Sequence, residues 1–301
     1  MTAMERALAD MDRLPPLPDT ALKLVQMLNR PDSRVEDIVE CIRYDPVITA
    51  DVLRICNSAH TGLMRTVTSL HEAACHLGLM SILQIVLARH AGPLLARENR
   101  GYGLASGALW RHSAGAALGA TGFAQFIEVG SRGPAFTAGL LHDIGKIALN
   151  QQVGSAIDDI LGAAKEQRVS FVEAEQQILG CSHEEIGARL AERWGLPESI
   201  VRCIRYHHNP AVLTRPDPLV DVVYLANAVC LMFGIGVGAD ELLSRADPAV
   251  LERRGLTEEH CEQVGIQMLT ELQRVEELFG GTGVGPAARP APLVGAGHHG
   301  T

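Results

Sequence analysis

The residues best suited to chemistry are an adjacent histidine and aspartate, His142 and Asp143, which follow the small and apolar run 138–141. A neutral imidazole offers a nitrogen ligand and a carboxylate an oxygen ligand to a divalent metal ion. Both side chains are expected to be partly buried, and a buried carboxylate requires a cation or several hydrogen-bond donors. A lone His-Asp pair is common by chance and also fits a helix end at which the histidine is simply hydrogen-bonded, and for the pair alone that interpretation is favoured.

Further histidines fall at or beside the inward faces of predicted helices. His112, for example, shares a helix face with Leu109 and Ala116. A core gains no stability from several imidazoles, because each buried one needs a partner. We therefore predict a divalent transition metal, with iron, manganese, zinc or nickel favoured over magnesium. The predicted ligands are His112, His142, Asp143, His183, His207 and His208. The alternative is a hydrogen-bonded histidine network without a metal.

The elements that must position these residues are all predicted to be helices. A serine followed three residues later by glutamate is typical of a helix start. Such capping boxes begin at Ser33, Ser69, Ser170 and Ser182. Apolar residues recur with the helical period and no convincing strand is visible. The sequence therefore predicts an all-α fold in which two helical lobes pack into one body.

A polar, glycine-containing stretch at 97–107 is the predicted boundary between the lobes. We expect residues 1–103 to form an N-terminal helical lobe and residues 104–280 to form a second lobe with the metal site. After Gly280 the composition changes to Gly, Pro, Ala and His, so residues 281–301 are predicted to be a disordered tail.

Composition narrows the function classes. Of the 301 residues 47% are hydrophobic but only 4% are aromatic, which favours close packing of helices through small aliphatic side chains. A net charge of −9 argues against a general binder of nucleic acids or anionic membranes. Seven scattered cysteines without a C-x-x-C motif suit a reducing compartment, and no signal peptide or 18-residue apolar run is visible. We expect a soluble cytoplasmic protein with no membrane or nucleic-acid partner.

Two sets of motifs carry a family resemblance. The predicted ligands, with Gly145-Lys146 and the run 183–188, resemble the HD superfamily of metal-dependent phosphohydrolases, closest in layout to the HD-GYP cyclic-dinucleotide phosphodiesterases. The N-terminal lobe instead resembles the HDOD domain, and its matching segments are 14–18, 45–48, 53–59 and 73–78. The resemblance covers most of the chain, from about residue 10 to residue 235, and implies an HD-like helical bundle.

The HDOD resemblance implies a bacterial-type regulatory protein that shares the HD fold but lacks part of the metal site. Here Asn227 stands where the HD pattern has an aspartate, and no Gly-Tyr-Pro follows the run 206–210. Asparagine is a neutral, weaker ligand, so we expect a partly retained site that binds metal but hydrolyses poorly. The implied partner is a signalling protein or a small nucleotide ligand.

The alternative function is a metal-dependent phosphohydrolase acting on a nucleotide or cyclic dinucleotide. In HD enzymes the His-Asp pair helps hold a metal centre, in some cases dinuclear, that activates water, which would make Asp143 catalytic. Lys146 would then lie near the substrate phosphate; otherwise it would be a lysine beside free helix-end carbonyls. A DNA-binding regulator ranks third, because the helix at 81–90 offers only Gln84, Arg89 and His90 amid apolar residues.

Overall fold

The computed structural model describes residues 2–28, 34–58, 61–63, 65–130, 132–239 and 246–279. Within these ranges the fold is all-α, as predicted, and the only extended pairing is one isolated bridge between Asn99 and Leu104. The α-helices of the described residues are α1 (Ala3–Asp12), α2 (Asp19–Leu28), α3 (Val35–Ile42), α4 (Pro46–Cys56), α5 (Leu70–Leu95), α6 (Ala108–Phe123), α7 (Arg132–Leu141), α8 (Gly145–Gln167), α9 (Phe171–Leu179), α10 (His183–Arg193), α11 (Glu198–Tyr206), α12 (Pro218–Met232), α13 (Pro248–Arg253) and α14 (Glu258–Phe279). Short 3₁₀ turns lie between α5 and α6 (Arg100–Tyr102) and between α11 and α12 (Pro210–Val212). The tail predicted to be disordered, 281–301, lies outside the described residues.

Serine caps begin three helices where the sequence predicts them. The Ser69 and Ser182 hydroxyls accept hydrogen bonds from the backbone N–H groups three residues later, and Ser170 forms a complete capping box with Glu173. The prediction for Ser33 is wrong in register, because α3 has Arg34 at its N-cap and no side-chain cap. Ser33 itself lies outside the described residues.

The longest helix, α5, is two helices joined at a break. Gly78 has a φ of +76°, a left-handed conformation that glycine adopts without steric cost, and it ends the first leg as predicted. Within the described ranges no single helix is both long enough and apolar enough to cross a bilayer. The two legs of α5 meet that criterion only as a bent pair, by length and composition alone.

One continuous hydrophobic core runs through the described chain. α6 lies near its centre and carries twelve buried residues, many of them Ala or Gly. These small side chains let α7 approach so closely that a Cβ at Gly139 would lie 2.7 Å from the Ala116 carbonyl oxygen. At the N-terminus, α1 packs on α8, where Gln152 Nε2 donates to Asp10 Oδ2 across 3.1 Å. The predicted lobes, 1–103 and 104–280, thus share one core, and the boundary between them stays a prediction.

Candidate metal centre

The central residues lie in a turn between two helices. α7 ends at Leu141, His142 and Asp143 follow, and Gly145 is the first residue of α8. The predicted break in the helix is therefore present, with Gly145 on its far side. A Cβ at Gly145 would lie 2.0 Å from the His183 carbonyl oxygen, so glycine is required where this turn crosses the start of α10.

Other helices bring the remaining histidines to this turn. His112 lies in the second turn of α6, and His183 is the first residue of α10. His207 and His208 follow Tyr206, the last residue of α11. All six predicted ligands come together, and we call them the His–Asp cluster: His112, His142, Asp143, His183, His207 and His208. His208 is half-buried and the other five side chains are at most 1% exposed.

The carboxylate of Asp143 lies at the centre of the cluster. Its Oδ1 is 3.5 Å from His183 Nε2 and 3.4 Å from His207 Nε2. Its Oδ2 is 3.3 Å from His142 Nε2 and 3.6 Å from His112 Nε2. Two ligand atoms about 2.1 Å from one ion lie about 3.0–3.4 Å apart, so these separations suit ligands that share a metal.

The ligands form two groups that share Asp143. Asp143, His142 and His112 make one group, and Asp143 with His183, His207 and His208 makes the other. Within each group the donor atoms lie within 4.8 Å of one another. Because one carboxylate oxygen faces each group, Asp143 would supply a ligand atom to an ion held by either group.

The outer ring nitrogens show where the imidazole protons lie. In four histidines Nδ1 is within 2.9 Å of an oxygen that can only accept; the pairs are His112 with the Ile235 carbonyl, His142 with the Gly139 carbonyl, His207 with the Ile204 carbonyl and His183 with Glu175 Oε2. The Nδ1 atoms must therefore donate. In a neutral ring this leaves a lone pair on Nε2, the tautomer that a metal ligand needs.

Acceptor atoms consequently face acceptor atoms inside the cluster. Asp143 Oδ1 and His207 Nε2 are buried and have no hydrogen-bond partner in the described part of the chain. Buried lone pairs without donors are costly unless a cation binds them. Imidazole nitrogens around one carboxylate suit zinc, iron, manganese or nickel better than magnesium. The residues present therefore fit a divalent transition metal.

Asn227 of α12 lies at one edge of the cluster, as predicted. Its Oδ1 is 3.0 Å from His112 Nε2, and the residue is 4% exposed. The side chain can offer a carbonyl oxygen to an ion bound by His112. The amide carries no negative charge. The only carboxylate among the six residues of the His–Asp cluster is therefore that of Asp143.

Lys146 contacts the same carboxylate. Its Nζ donates to Asp143 Oδ2 across 2.7 Å, and its side chain is 1% exposed. The ammonium also lies 5.7 Å from the centre of the Tyr102 ring. Lys146 is in the first turn of α8, and its predicted roles, near a substrate phosphate or beside helix-end carbonyls, stay predictions.

Local charges set the protonation of the metal-free cluster. Burial would raise the pKa of Asp143, but His142 and Lys146 outweigh burial and hold that pKa well below its usual value. Burial lowers the pKa of His142 to about 4. Burial also acts to lower the pKa of His183, but Glu175 outweighs it and raises the pKa to about 9. In the metal-free protein His183 therefore carries a second proton, on Nε2, and this proton would have to leave before Nε2 could bind a metal.

Two carboxylates that support the cluster, those of Glu175 and Glu184, are not among the site residues predicted from the sequence. Glu175 Oε2 accepts from the backbone N–H and from Nδ1 of His183, and its Oε1 accepts from the Tyr102 hydroxyl. Glu184 Oε1 accepts from the backbone N–H of His208. The sequence signal for Glu175 is its place on the buried stripe of α9, with Phe171 and Leu179, where a charge needs a partner.

Comparison with known proteins agrees with this architecture. The HDOD domain family model matches residues 14–210. The chain belongs to the HDOD family. A curated relative of this HDOD protein, an uncharacterized protein of Treponema pallidum (strain Nichols), is 27% identical over 229 residues. The match covers 75% of this chain and 44% of the relative, so the chain spans less than half of that relative's length.

Solved structures share the fold. An HDOD domain protein of unknown function from Geobacter sulfurreducens superposes with a TM-score of 0.69 at 24% identity, covering 92% of this chain and 99% of that one. A candidate signal transduction protein of Marinobacter aquaeolei VT8 superposes with a TM-score of 0.71 at 23% identity. The match covers 92% of this chain and 65% of that one. A candidate phosphohydrolase of Shewanella amazonensis SB2B superposes with a TM-score of 0.62 at 23% identity. The match covers 89% of this chain and 98% of that one. At these identities the likeness concerns the HDOD helical bundle alone.

Proposed function

We propose that this HDOD protein is a regulatory signalling module with a closed metal centre, and that it acts by binding a signalling protein or a small nucleotide. The observation that carries the proposal is the burial of the His–Asp cluster. Five of its six side chains are at most 1% exposed, although the cluster holds the ligands expected of a metal site. A site built for metal yet shut to solvent suits stability or sensing better than turnover.

The groups that an enzyme would present to a phosphate are engaged with the cluster itself. Lys146 Nζ is within 2.7 Å of Asp143 and is buried, so it is not aimed at an open cleft. Hydrolysis of a phosphodiester requires the attacking water in line with the leaving oxygen, and about 1 Å of misplacement costs about two orders of magnitude. Asn227 would hold an ion beside His112 less firmly than an aspartate would, which further disfavours that alignment.

The second candidate is a metal-dependent phosphohydrolase. It is favoured by the two ligand groups that share Asp143, because paired metal ions a few ångströms apart are common in phosphatases and nucleases. Divalent ions bound there would polarise a phosphoryl group and activate water. Access would have to come from the side of His208, the half-buried member of the cluster.

Metal analysis and an activity assay on the same preparations test the proposal. We expect one or two transition-metal ions per chain in the wild-type protein, and loss of metal in His142→Ala. His76→Ala is the matched control, since His76 is an exposed histidine on α5. With bis-(p-nitrophenyl) phosphate and added manganese, iron, nickel or zinc, we expect little or no turnover. Robust wild-type turnover that disappears in His142→Ala but not in His76→Ala would establish the enzyme instead.

A further inference from the structure

A cavity of about 200 Å³ lies between α4, α5, α6, α7 and α14. Its wall is mainly aliphatic and aromatic, with contributions from Ile55, Leu77, Ile85, Trp110, Phe136 and Leu140. On α6 the lining residues Trp110, Ala114 and Leu118 form one stripe. With a step of 100° per residue, that stripe is about 160° around the helix from His112. The cavity is therefore separate from the His–Asp cluster, on the opposite face of α6.

One buried polar group on this wall lacks a partner, because Ser58 Oγ makes no hydrogen bond within the described ranges. The half-buried Gln84 adds an amide to the same wall. Other polar residues of the wall are satisfied locally: the Ser81 hydroxyl donates to the Leu77 carbonyl and the Thr61 hydroxyl to the Cys56 carbonyl. Ser58 and Gln84 can each donate and accept, so they suit a hydroxyl group.

Charge and size restrict the ligand further. None of the described residues that line the cavity is charged. A charged ligand would lose its hydration there without gaining a partner. An apolar cavity of about 150 Å³ is enough to bind benzene. The volume here therefore accommodates a benzene ring with a small substituent.

We propose that this cavity binds a small neutral aromatic molecule with one hydroxyl group, such as a substituted phenol. The ring would pack against Trp110 and Phe136, and the hydroxyl would bond to Ser58 or Gln84. Binding itself does not depend on a metal. Its role as the input signal of the module rests on the proposed function, and α6 and α7 provide the link, because α6 bears His112 and α7 leads into His142.

Calorimetric titration of the full chain with 4-methylphenol, supported by Trp110 fluorescence, tests the proposal. We expect saturable binding at one site per chain. Ala114→Leu places a larger side chain in the cavity and should weaken binding at least tenfold. Ala249→Leu makes the same change at an exposed position of α13 and should leave binding unchanged. If Ala114→Leu does not fold by circular dichroism, Ala88→Leu fills the cavity from α5 and replaces it.

Ligand chemistry supplies a second test. Replacing the hydroxyl by a methyl group, as in p-xylene, should weaken binding roughly 2- to 10-fold, the value of one hydrogen bond. Gln84→Leu or Ser58→Ala should remove that preference. The anion 4-methylbenzoate should bind at least tenfold more weakly than 4-methylphenol.

Several outcomes would overturn the proposal. The first is that 4-methylphenol shows no saturable binding. The second is that Ala114→Leu binds 4-methylphenol as tightly as the wild type does. The third is that the wild type binds 4-methylbenzoate as tightly as 4-methylphenol. A change of oligomeric state in Ala114→Leu, without a change in 4-methylphenol binding, would make the cavity a contact between copies of the chain. Metal content and phosphodiesterase activity are not read in this titration, so its failure is distinct from failure of the proposed metal centre.

Discussion

Lys146 Nζ lies 2.7 Å from Asp143 Oδ2, and both side chains are 1% exposed. The pair places one full positive and one full negative charge inside the core, three residues apart in the chain. A buried ion pair contributes little net stability, but removal of one partner leaves an uncompensated buried charge. Lys146 therefore holds the carboxylate of Asp143 ionised and oriented toward the histidines.

Lys146→Met should destabilise the metal-free protein by about 3–5 kcal/mol, because Asp143 loses its nearest cation. Saturating metal should recover part of this loss by supplying positive charge. Urea unfolding with and without a chelator measures both effects. Lys165→Met, at an exposed position of the same helix, should change stability by less than about 0.5 kcal/mol. Equal stability of the two variants would mean that the buried pair does not form.

Glu175→Gln should weaken metal binding about 10- to 100-fold, the usual cost of losing the carboxylate that orients a histidine ligand. Glu175 accepts two hydrogen bonds from His183, through the backbone N–H and Nδ1. Competition with a chromophoric chelator gives the affinity. Glu166→Gln removes an exposed carboxylate from α8 and serves as the control. An unchanged affinity in Glu175→Gln would argue that His183 is not a ligand.

Asn227→Asp should tighten metal binding, since it adds a charged oxygen 3.0 Å from His112 Nε2. In the metal-free protein the same change places a second carboxylate beside Asp143 and should lower the melting temperature. In thermal unfolding, added metal should therefore raise the melting temperature of Asn227→Asp by more than it raises that of the wild type. Any turnover of bis-(p-nitrophenyl) phosphate by this variant should require added metal. A variant that melts identically with and without metal would contradict this prediction.

Acid should weaken the start of α9, the helix that carries Glu175. The backbone N–H and hydroxyl of Ser170 hydrogen-bond to Glu173 and lower the pKa of that carboxyl. Because the pKa of Glu173 is lower in the folded protein, its ionised carboxylate stabilises the fold at pH values above the unfolded-state pKa of about 4.3. This contribution is lost as the pH falls through the folded-state pKa. Because the site is solvent-exposed, we expect at most about 0.5 kcal/mol. Urea unfolding from pH 6 to pH 3 should show a shallower pH dependence for Glu173→Gln than for the wild type; parallel curves would exclude the effect.

The sequence predicts the all-α fold and three helix starts at serine caps because capping and periodicity are local properties. Ser69, Ser170 and Ser182 cap helices through bonds that span three residues. The start of α3 escapes this reasoning, since it begins after Arg34 without any side-chain cap. The union of α1 with α8 is likewise invisible locally, because it depends on contacts between residues far apart in the chain.

The convergence of the histidines is predictable because each lies at or beside an apolar face, and buried faces must meet. The arrangement around them is not. Asp143 divides its two oxygens between two ligand groups only because the turn after α7 crosses α10 at Gly145. Glu175 is missed since nothing in the spacing from 175 to 183 reveals that its carboxylate folds back onto His183. A lone Glu on an apolar stripe is the one local sign of it.

The burial of the His–Asp cluster has a consequence for the timing of metal exchange. An ion held among the five buried side chains would leave only when the packing around them opens, on the side of the half-buried His208 or elsewhere. Exchange then occurs through local unfolding, and its rate follows the free energy of that opening. Free metal in the surroundings would equilibrate slowly with the folded protein. The metal present while the chain folds, and not the metal present later, would determine the content of each molecule.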